Sequence, residues 1–302
     1  MQNLGWSRRD FLRRSMLASG LVVAPGLITA CSTTDPDTGA TTSGNTLDAI
    51  RESGTVTVGF ADERPYAYRG QGGQLEGEAP AIHGEIFKRL GDIKLEGQLF
   101  EFDSLIRALN SSRVDVVTAG MFITPERCRS AAFSNPEYVV KTALLVPSGN
   151  PENLSDYVSV ADGSATLAVL SGAVELEQAE GSGIPEDQIQ IVADQQSGLD
   201  AVKSGRADAL ALTRLSLAAM AESTSGVEVT EPFTPVIDGK EQIGAGAAVF
   251  RQADTELLNA FNTELQKLLD EPDTWLSLVE PYGFTEAEMP PSGLTAKQLC
   301  KG

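Results

Sequence analysis

The chain has 302 residues, of which 41% are hydrophobic and 22% charged, with 29 glycines and 15 prolines. This composition is typical of a soluble α/β protein with one large domain or two modest ones. The 42 acidic residues against 23 basic ones give a formal net charge of −19, which excludes nucleic acid and anionic lipid head groups as partners.

The amino-terminal residues carry an export signature. Ser7–Arg13 resembles the twin-arginine export motif, and the apolar stretch 16–30 behind it is short and ends in small residues. It leads directly to Cys31, as in a lipoprotein signal. We therefore expect residues 1–30 to be a twin-arginine lipoprotein signal peptide and Cys31 to be acylated, which attaches the chain to a membrane. The polar stretch 31–46 is expected to be a flexible tether. The alternative is a plain signal peptide with an incidental cysteine.

The following elements form two similar units. The first is predicted to contain strands at 55–60, 95–100, 114–118 and 142–146, a hairpin within 63–78, helices at 81–90 and 103–110, and a helix that begins at Thr124. The second is predicted to contain strands at 167–170, 189–192 and 208–212, and helices at 175–181, 198–204 and 215–221. A strand at 244–250 returns to the first unit and precedes helices at 255–269 and 275–279.

The repeated strand–helix order predicts an α/β fold with parallel sheets flanked by helices. We expect two lobes, residues 47–146 with 241–302 as lobe 1 and residues 147–240 as lobe 2. The chain is expected to cross between them near 146–148 and near 236–244, which makes the two crossings a hinge. Because ligands of open α/β sheets bind beyond the carboxyl ends of the strands, the expected site is the cleft between the lobes.

Three stretches of the chain resemble one family. Residues 60–66 with 85–90, residues 102–127 and residues 198–209 are similar in order and spacing to the type II solute-binding proteins of polar amino acid ABC importers. The resemblance implies a two-lobed periplasmic-binding-protein-like type II fold, a monomer without cofactor or catalytic residues, and a membrane permease as partner. Within the family, the details are most similar to the branch that binds ectoine and hydroxyectoine, which are small zwitterionic solutes.

The same resemblance implies which residues line the cleft. They are Glu63, Tyr66, Phe102, Gly120, Phe122, Arg127, Gly172, Ala173, Val174 and Thr213. A guanidinium such as that of Arg127 holds a carboxylate in a planar, two-pronged manner. The three aromatic rings attract a cation by about 0.5–2 kcal/mol per contact, and Glu63 accepts N–H groups from it. Backbone N–H groups after Gly172 are expected to hold a carboxylate at a helix start.

Two positions leave the ligand open. Thr213 stands where amino acid binders of the family usually have an Asp that holds an α-ammonium group, which favours a solute without one. Gly172-Ala173-Val174 replaces the family's Gly-Thr turn and lacks its hydroxyl. A polar amino acid of the glutamine or arginine type therefore remains an alternative ligand.

A cyclohexadienyl dehydratase-like enzyme on the same fold is the alternative activity. The sequence offers no nucleophile–base pair and no His/Cys cluster for a metal. Its single histidine, His83, is predicted on a helix outside the cleft. We therefore expect a binding protein rather than an enzyme.

Two cysteines, Cys128 and Cys300, remain after the signal region. In an exported protein such a pair favours a disulfide, which here attaches the carboxyl-terminal tail to the middle of lobe 1. Two unpaired thiols are the alternative.

Overall fold

The structure, a computed structural model, describes residues 46–301. The predicted signal peptide, Cys31 and all of the predicted tether except Thr46 lie outside these residues, because α-helix α1 begins at Thr46. Among the described residues, none of the helices is both long and apolar enough to span a bilayer.

The described chain runs through one lobe, then the other, and back. The first lobe begins with α1 (Thr46–Ser53), β1 (Thr55–Phe60), β2 (Tyr68–Arg69), β3 (Leu75–Glu76), α2 (Glu78–Gly91), β4 (Lys94–Leu99), α3 (Leu105–Asn110), β5 (Val116–Phe122), α4 (Pro125–Cys128), β6 (Ala132–Phe133) and β7 (Tyr138–Val140). The second lobe contains β8 (Thr142–Pro147), α5 (Tyr157–Ala161), β9 (Leu167–Leu170), α6 (Val174–Gly181), β10 (Ile189–Val192), α7 (Gln195–Lys203), β11 (Ala209–Thr213), α8 (Arg214–Glu222) and β12 (Val227–Val229). The return segment and the end of the first lobe are β13 (Val236–Ile237), β14 (Lys240–Glu241), β15 (Gly244–Phe250), α9 (Thr255–Leu269), α10 (Pro272–Val279) and α11 (Ala296–Leu299).

Each lobe is built on one mixed sheet. The first has the order β4-β1-β5-β15-β6, with β7 also paired to β15, and the second has the order β10-β9-β11-β8-β12. In each sheet three strands are parallel, and the strand that enters after a crossing, β15 or β8, runs antiparallel to its neighbour. The predicted two-lobed fold is confirmed, and the antiparallel strands arise because the chain enters each sheet from the other lobe.

The first crossing lies earlier than the sequence predicted. Strand β7 pairs with β15 in the first sheet, whereas β8 pairs with β11 and β12 in the second, so the chain crosses at Lys141 and not near 146–148. Residues 142–146 therefore belong to the second lobe, which corrects the boundary placed after residue 146. The chain returns between β12 and β15, and the backbone of Phe233 still pairs with Thr142 on the way.

Helix α2 shows how a polar group enters the core of the first lobe. Its apolar residues Ile82, Ile86 and Phe87 are fully buried against the sheet, and His83 lies on the same face, also fully buried. The His83 ring nitrogens are 2.8 Å from the Thr118 hydroxyl and 2.9 Å from a Glu137 carboxylate oxygen. His83 is therefore a core residue whose hydrogen-bonding groups are satisfied.

The predicted disulfide joins the carboxyl-terminal segment to the middle of the first lobe. Cys128 at the end of α4 is bonded to Cys300, with the two Cα atoms 5.7 Å apart across 172 residues of sequence. Both cysteines pack on a buried apolar cluster that includes Leu105, Val117 and Phe133. The prediction of a disulfide is confirmed, and it fixes the carboxyl-terminal segment beside α4.

Candidate functional site

The carboxyl ends of parallel strands from both sheets meet in the cleft, where they enclose a cavity of about 30 Å³. It is lined by Glu63, Tyr66, Phe102, Gly120, Phe122, Arg127, Ala173, Val174, Glu175, Leu212 and Thr213. Nine of the ten residues expected from the sequence are in this set; the tenth, Gly172, lies at the edge of the cavity. This space holds only about two water molecules, so a larger molecule can occupy it only when the lobes separate.

Arg127 bridges the two lobes. The Thr124 side chain accepts the Arg127 backbone N–H at the start of α4, which fixes the backbone from which the guanidinium projects. The guanidinium donates to the carbonyl oxygen of Phe122 at 2.8 Å and to that of Gly172, across the cleft, at 2.9 Å. It also lies 5.5 Å from the centre of the Phe102 ring. Burial lowers the pKa of Arg127, yet a guanidinium stays charged, so the cavity holds a permanent cation.

Glu63 faces Arg127 from the loop after β1. Its backbone N–H and C=O pair with those of Ala67, which fixes the loop, and Ser216 of the second lobe donates its hydroxyl to the carboxylate at 2.8 Å. Burial raises the pKa of Glu63 to about 7, against the opposing effects of the Ser216 hydrogen bond and the Arg127 charge. This carboxyl group therefore ionises near neutral pH and is poised to accept N–H groups.

Glu175 is a second carboxylate that the sequence analysis did not include. It is the second residue of α6, only 3% exposed, and it lines the same cavity as Glu63 and Arg127. Burial raises the pKa of Glu175 to about 7, and the charge of Glu63 raises it further, while its backbone hydrogen bond and Arg127 oppose the shift. Its position alone does not indicate a site, because an acidic residue in the first turn of a helix is commonly stabilised there by the helix dipole.

The three charges make the cavity anionic when both carboxyl groups are ionised. Of the side chains between residues 46 and 301, only Glu63, Arg127 and Glu175 bring charge to its lining. Two carboxylates against one guanidinium leave one excess negative charge. The site therefore suits a molecule that has a carboxylate for Arg127 and a cation with N–H groups for the two glutamates.

The aromatic rings come entirely from the first lobe. Tyr66 stacks on Tyr138 with ring centres 5.1 Å apart, and Tyr66 and Phe122 both belong to the main core cluster of that lobe. Phe102, half-buried, lies beyond Arg127. Two rings are thus held rigidly by the core, and the third shields the guanidinium from solvent.

Thr213 of the second lobe closes the cavity over Tyr66. Its hydroxyl oxygen accepts a hydrogen bond from the Tyr66 hydroxyl at 2.8 Å and another from the backbone N–H of Ser216 at 3.1 Å. A hydroxyl oxygen has two acceptor positions, so both are occupied by the protein itself.

Two glycines allow the close approach of these parts. Gly120 has a φ of +61°, and a Cβ atom added to it would lie only 2.6 Å from the Tyr66 ring. Gly172 has a φ of +72°, and a Cβ atom added to it would lie only 2.6 Å from the Cβ atom of Asp103, in the other lobe. The Ser171 hydroxyl is also 3.0 Å from the Asp103 carboxylate. Gly172 is therefore a point of close contact between the lobes.

Two lobes that enclose a charged, aromatic cavity define a binding protein that closes on a small molecule. Residues 56–285 match the family of bacterial extracellular solute-binding proteins, family 3. The chain belongs to this family of solute-binding proteins.

Similar proteins agree with this assignment. The probable amino-acid ABC transporter periplasmic-binding protein y4tE of Sinorhizobium fredii is 33% identical over 262 residues, which cover 84% of this chain and 86% of the relative. The crystal structure of EhuB in complex with hydroxyectoine has a TM-score of 0.75 and 34% identity, and covers 85% of this chain and 98% of EhuB. An ancestral amino acid-binding protein described as a precursor of cyclohexadienyl dehydratase has a TM-score of 0.68 and 26% identity, with 78% and 99% covered. The family consists of binding proteins, with a dehydratase lineage as a distant branch.

Proposed function

We propose that this chain is the extracytoplasmic receptor of an ABC importer and captures ectoine or hydroxyectoine in the interlobe cavity. The observation that carries the proposal is the set of groups enclosed there: one fixed guanidinium, two carboxylates with pKa values near 7 and three aromatic rings. The 34% identity with EhuB, whose structure contains hydroxyectoine, supports the same choice.

Each part of an ectoine-type solute has a partner in this lining. The solute carboxylate pairs with Arg127, because the guanidinium bond to the Gly172 carbonyl crosses the cleft and is released when the lobes separate, which frees N–H groups for the carboxylate. The flat amidinium donates its N–H groups to Glu63 and Glu175. The apolar ring edge packs on Tyr66, Phe102 and Phe122, where cation–π attraction adds about 0.5–2 kcal/mol per favourable contact.

The second lobe disfavours an α-amino acid at one position. The Thr213 oxygen is filled by Tyr66 and by the Ser216 backbone, so an α-ammonium group finds no free acceptor there. A compact amidinium, which needs only the two glutamates, does not depend on that oxygen.

An amino acid of the arginine type is the second candidate, because one observation favours it. The excess negative charge of the cavity matches a solute with a net positive charge better than it matches a zwitterion. The Arginine-binding extracellular protein ArtP of Bacillus subtilis is 26% identical to this chain over 216 residues.

Calorimetric titration of the mature protein separates these candidates. Ectoine, hydroxyectoine, arginine and glutamine are each titrated at about neutral pH. We expect the two ectoines to bind with a Kd of about micromolar or below, and the amino acids to bind at least a hundredfold more weakly. Tight binding of arginine without binding of ectoine contradicts the proposed ligand.

We also propose that the twin-arginine signal exports the chain and that an acylated Cys31 anchors it to the outer face of the cytoplasmic membrane, where it meets its permease as a monomer. Labelling of producing cells with radioactive palmitate tests the anchor. Wild type is expected to incorporate label and to fractionate with membranes, and Cys31→Ser to do neither.

A further inference from the structure

Gln195 makes a two-way contact between the lobes outside the cavity. It is the first residue of α7, in the second lobe, and is half-buried. Its side-chain oxygen accepts the backbone N–H of Arg64 at 3.2 Å, and its side-chain N–H donates to the backbone carbonyl of Arg64 at 2.8 Å. One amide side chain thus satisfies both hydrogen-bonding groups of a single residue in the other lobe.

Arg64 directly follows Glu63 and is separated from Tyr66 by Pro65, and Glu63 and Tyr66 both line the cavity. Its own side chain points elsewhere, with the guanidinium 3.8 Å from the centre of the Tyr68 ring. The link from Gln195 to the site therefore runs through the backbone of the loop. Holding the Arg64 peptide groups fixes the positions from which the Glu63 carboxylate and the Tyr66 ring project.

We propose that Gln195 is a positioning residue for solute binding, which holds the Glu63–Tyr66 loop against the second lobe when the cleft is closed. The proposal rests on the function proposed above, namely that a solute binds in the interlobe cavity. Gln195 lines the groove beside Arg64 and not the cavity, so it acts on the solute only through that loop.

The contact forms only after the lobes have closed on the solute. Its loss should therefore increase the rate at which the cleft opens and releases the solute, with little effect on the rate of solute association. Two neutral hydrogen bonds at a half-exposed position correspond to about a tenfold change in an equilibrium constant. The expected signature is a dissociation rate about tenfold higher with an association rate that is nearly unchanged.

The first test compares Gln195→Met with Gln196→Ala in stopped-flow binding of hydroxyectoine to the full mature protein. Methionine keeps the size of the side chain but has no N–H group, whereas Gln196, the adjacent residue, bonds only to Asp200 on its own helix. We expect Gln195→Met to release the solute about tenfold faster and Gln196→Ala to match wild type. Equal dissociation rates in Gln195→Met and wild type overturn the proposal and leave the function of the protein unaffected.

The second test follows the contact itself in the closed state. With saturating hydroxyectoine, exchange of the Arg64 amide hydrogen, followed by NMR, is expected to be several-fold faster in Gln195→Met than in wild type or Gln196→Ala, because that amide loses its acceptor. Identical exchange in all three proteins overturns the positioning role. Failure of all four solutes to bind wild type contradicts instead the proposed function, on which this role rests.

Discussion

The two lobes contribute unlike chemistry to the same cavity. The first lobe supplies all three rings, Arg127 and one carboxylate, on loops anchored in its core. The second supplies Glu175 and otherwise short side chains, and its contacts with the first lobe include the hydrogen bond that Thr213 accepts from Tyr66 and the one that Gln195 donates to Arg64. We infer that recognition resides mainly in the first lobe, while closure of the second lobe removes water and strengthens the charge pairs.

Removal of the first lobe's cation should have the largest effect on affinity. Arg127→Ala leaves a solute carboxylate without its two-pronged partner in a desolvated site, which costs about 4 kcal/mol, or roughly a thousandfold in Kd. Titration calorimetry measures this loss of affinity, and Arg129→Ala, a substitution of an exposed neighbouring residue, is the control. A loss below about tenfold contradicts the assignment of recognition to the first lobe.

A change in the second lobe should act through closure. In Gly172→Ala the added methyl group meets the backbone and side chain of Asp103, so the lobes no longer seat fully and affinity falls about a hundredfold. Gly183→Ala is the matched control, because Gly183 also has a positive φ, +88°, but nothing lies within 4 Å of its added Cβ. Solution scattering with solute should show a larger radius of gyration for Gly172→Ala alone.

Glu175 is the charged side chain that the second lobe contributes to the cavity, so its substitution tests whether that lobe takes part in recognition. Glu175→Gln keeps the shape of the side chain but removes a charge that faces the solute cation, so affinity should fall about tenfold. Glu186→Gln, exposed elsewhere in the second lobe, is expected to leave the Kd unchanged. If Glu175→Gln changes the Kd no more than the control variant does, the second lobe does not recognise the charge of the solute.

The pH dependence of binding should be smaller but diagnostic. Glu63 and Glu175 have pKa values of about 7 without solute, so a cationic group must displace protons to bind below that pH. Affinity should weaken several-fold from about pH 8 to about pH 6, with proton release seen as a buffer-dependent binding enthalpy. Stability without solute has the opposite sign: a raised carboxyl pKa stabilises the fold at low pH, and this contribution is lost as pH rises through about 7. The pH dependence of the Tm should shrink in Glu175→Gln.

The smallest effect on affinity is expected from His83, which lies in the core of the first lobe and not in the cavity. His83→Ala leaves a cavity in the core and deprives the buried Glu137 carboxylate of a partner, so the free energy of unfolding should fall by about 3 kcal/mol. Denaturant unfolding measures this loss, and Lys88→Ala, exposed on the same helix, is the control. A large change in the Kd of His83→Ala without a loss of stability would contradict the assignment of His83 to the core rather than to the binding site.

Local patterns predicted most elements but not their long-range partners. The apolar run 142–146 was recognised as a strand, yet nothing in it indicates that it pairs with β11 of the second lobe rather than with the first sheet. The crossing was therefore predicted about five residues too late. The partner of a strand depends on residues that are distant in sequence, so a local pattern of hydrophobic residues does not predict it.

The same limit explains what was missed in the site. Arg127 and Gly172 are predicted from the sequence, because the resemblance to the solute-binding family covers both positions. Glu175 was not, because its burial depends on the first lobe facing it across the cleft. His83 was placed on the correct helix, but its partner Glu137 is far away in sequence, so the buried network could not be predicted.

The disulfide gives the end of the chain a direct mechanical connection to the site. Cys128 follows Arg127 immediately, so a load applied at Cys300 reaches helix α4 through one covalent bond, although the two cysteines are 172 positions apart in sequence. A fluorophore or a surface tether attached at the carboxyl terminus is therefore coupled to the guanidinium, which makes that terminus a suitable point for a sensor and a poor one for an inert purification tag.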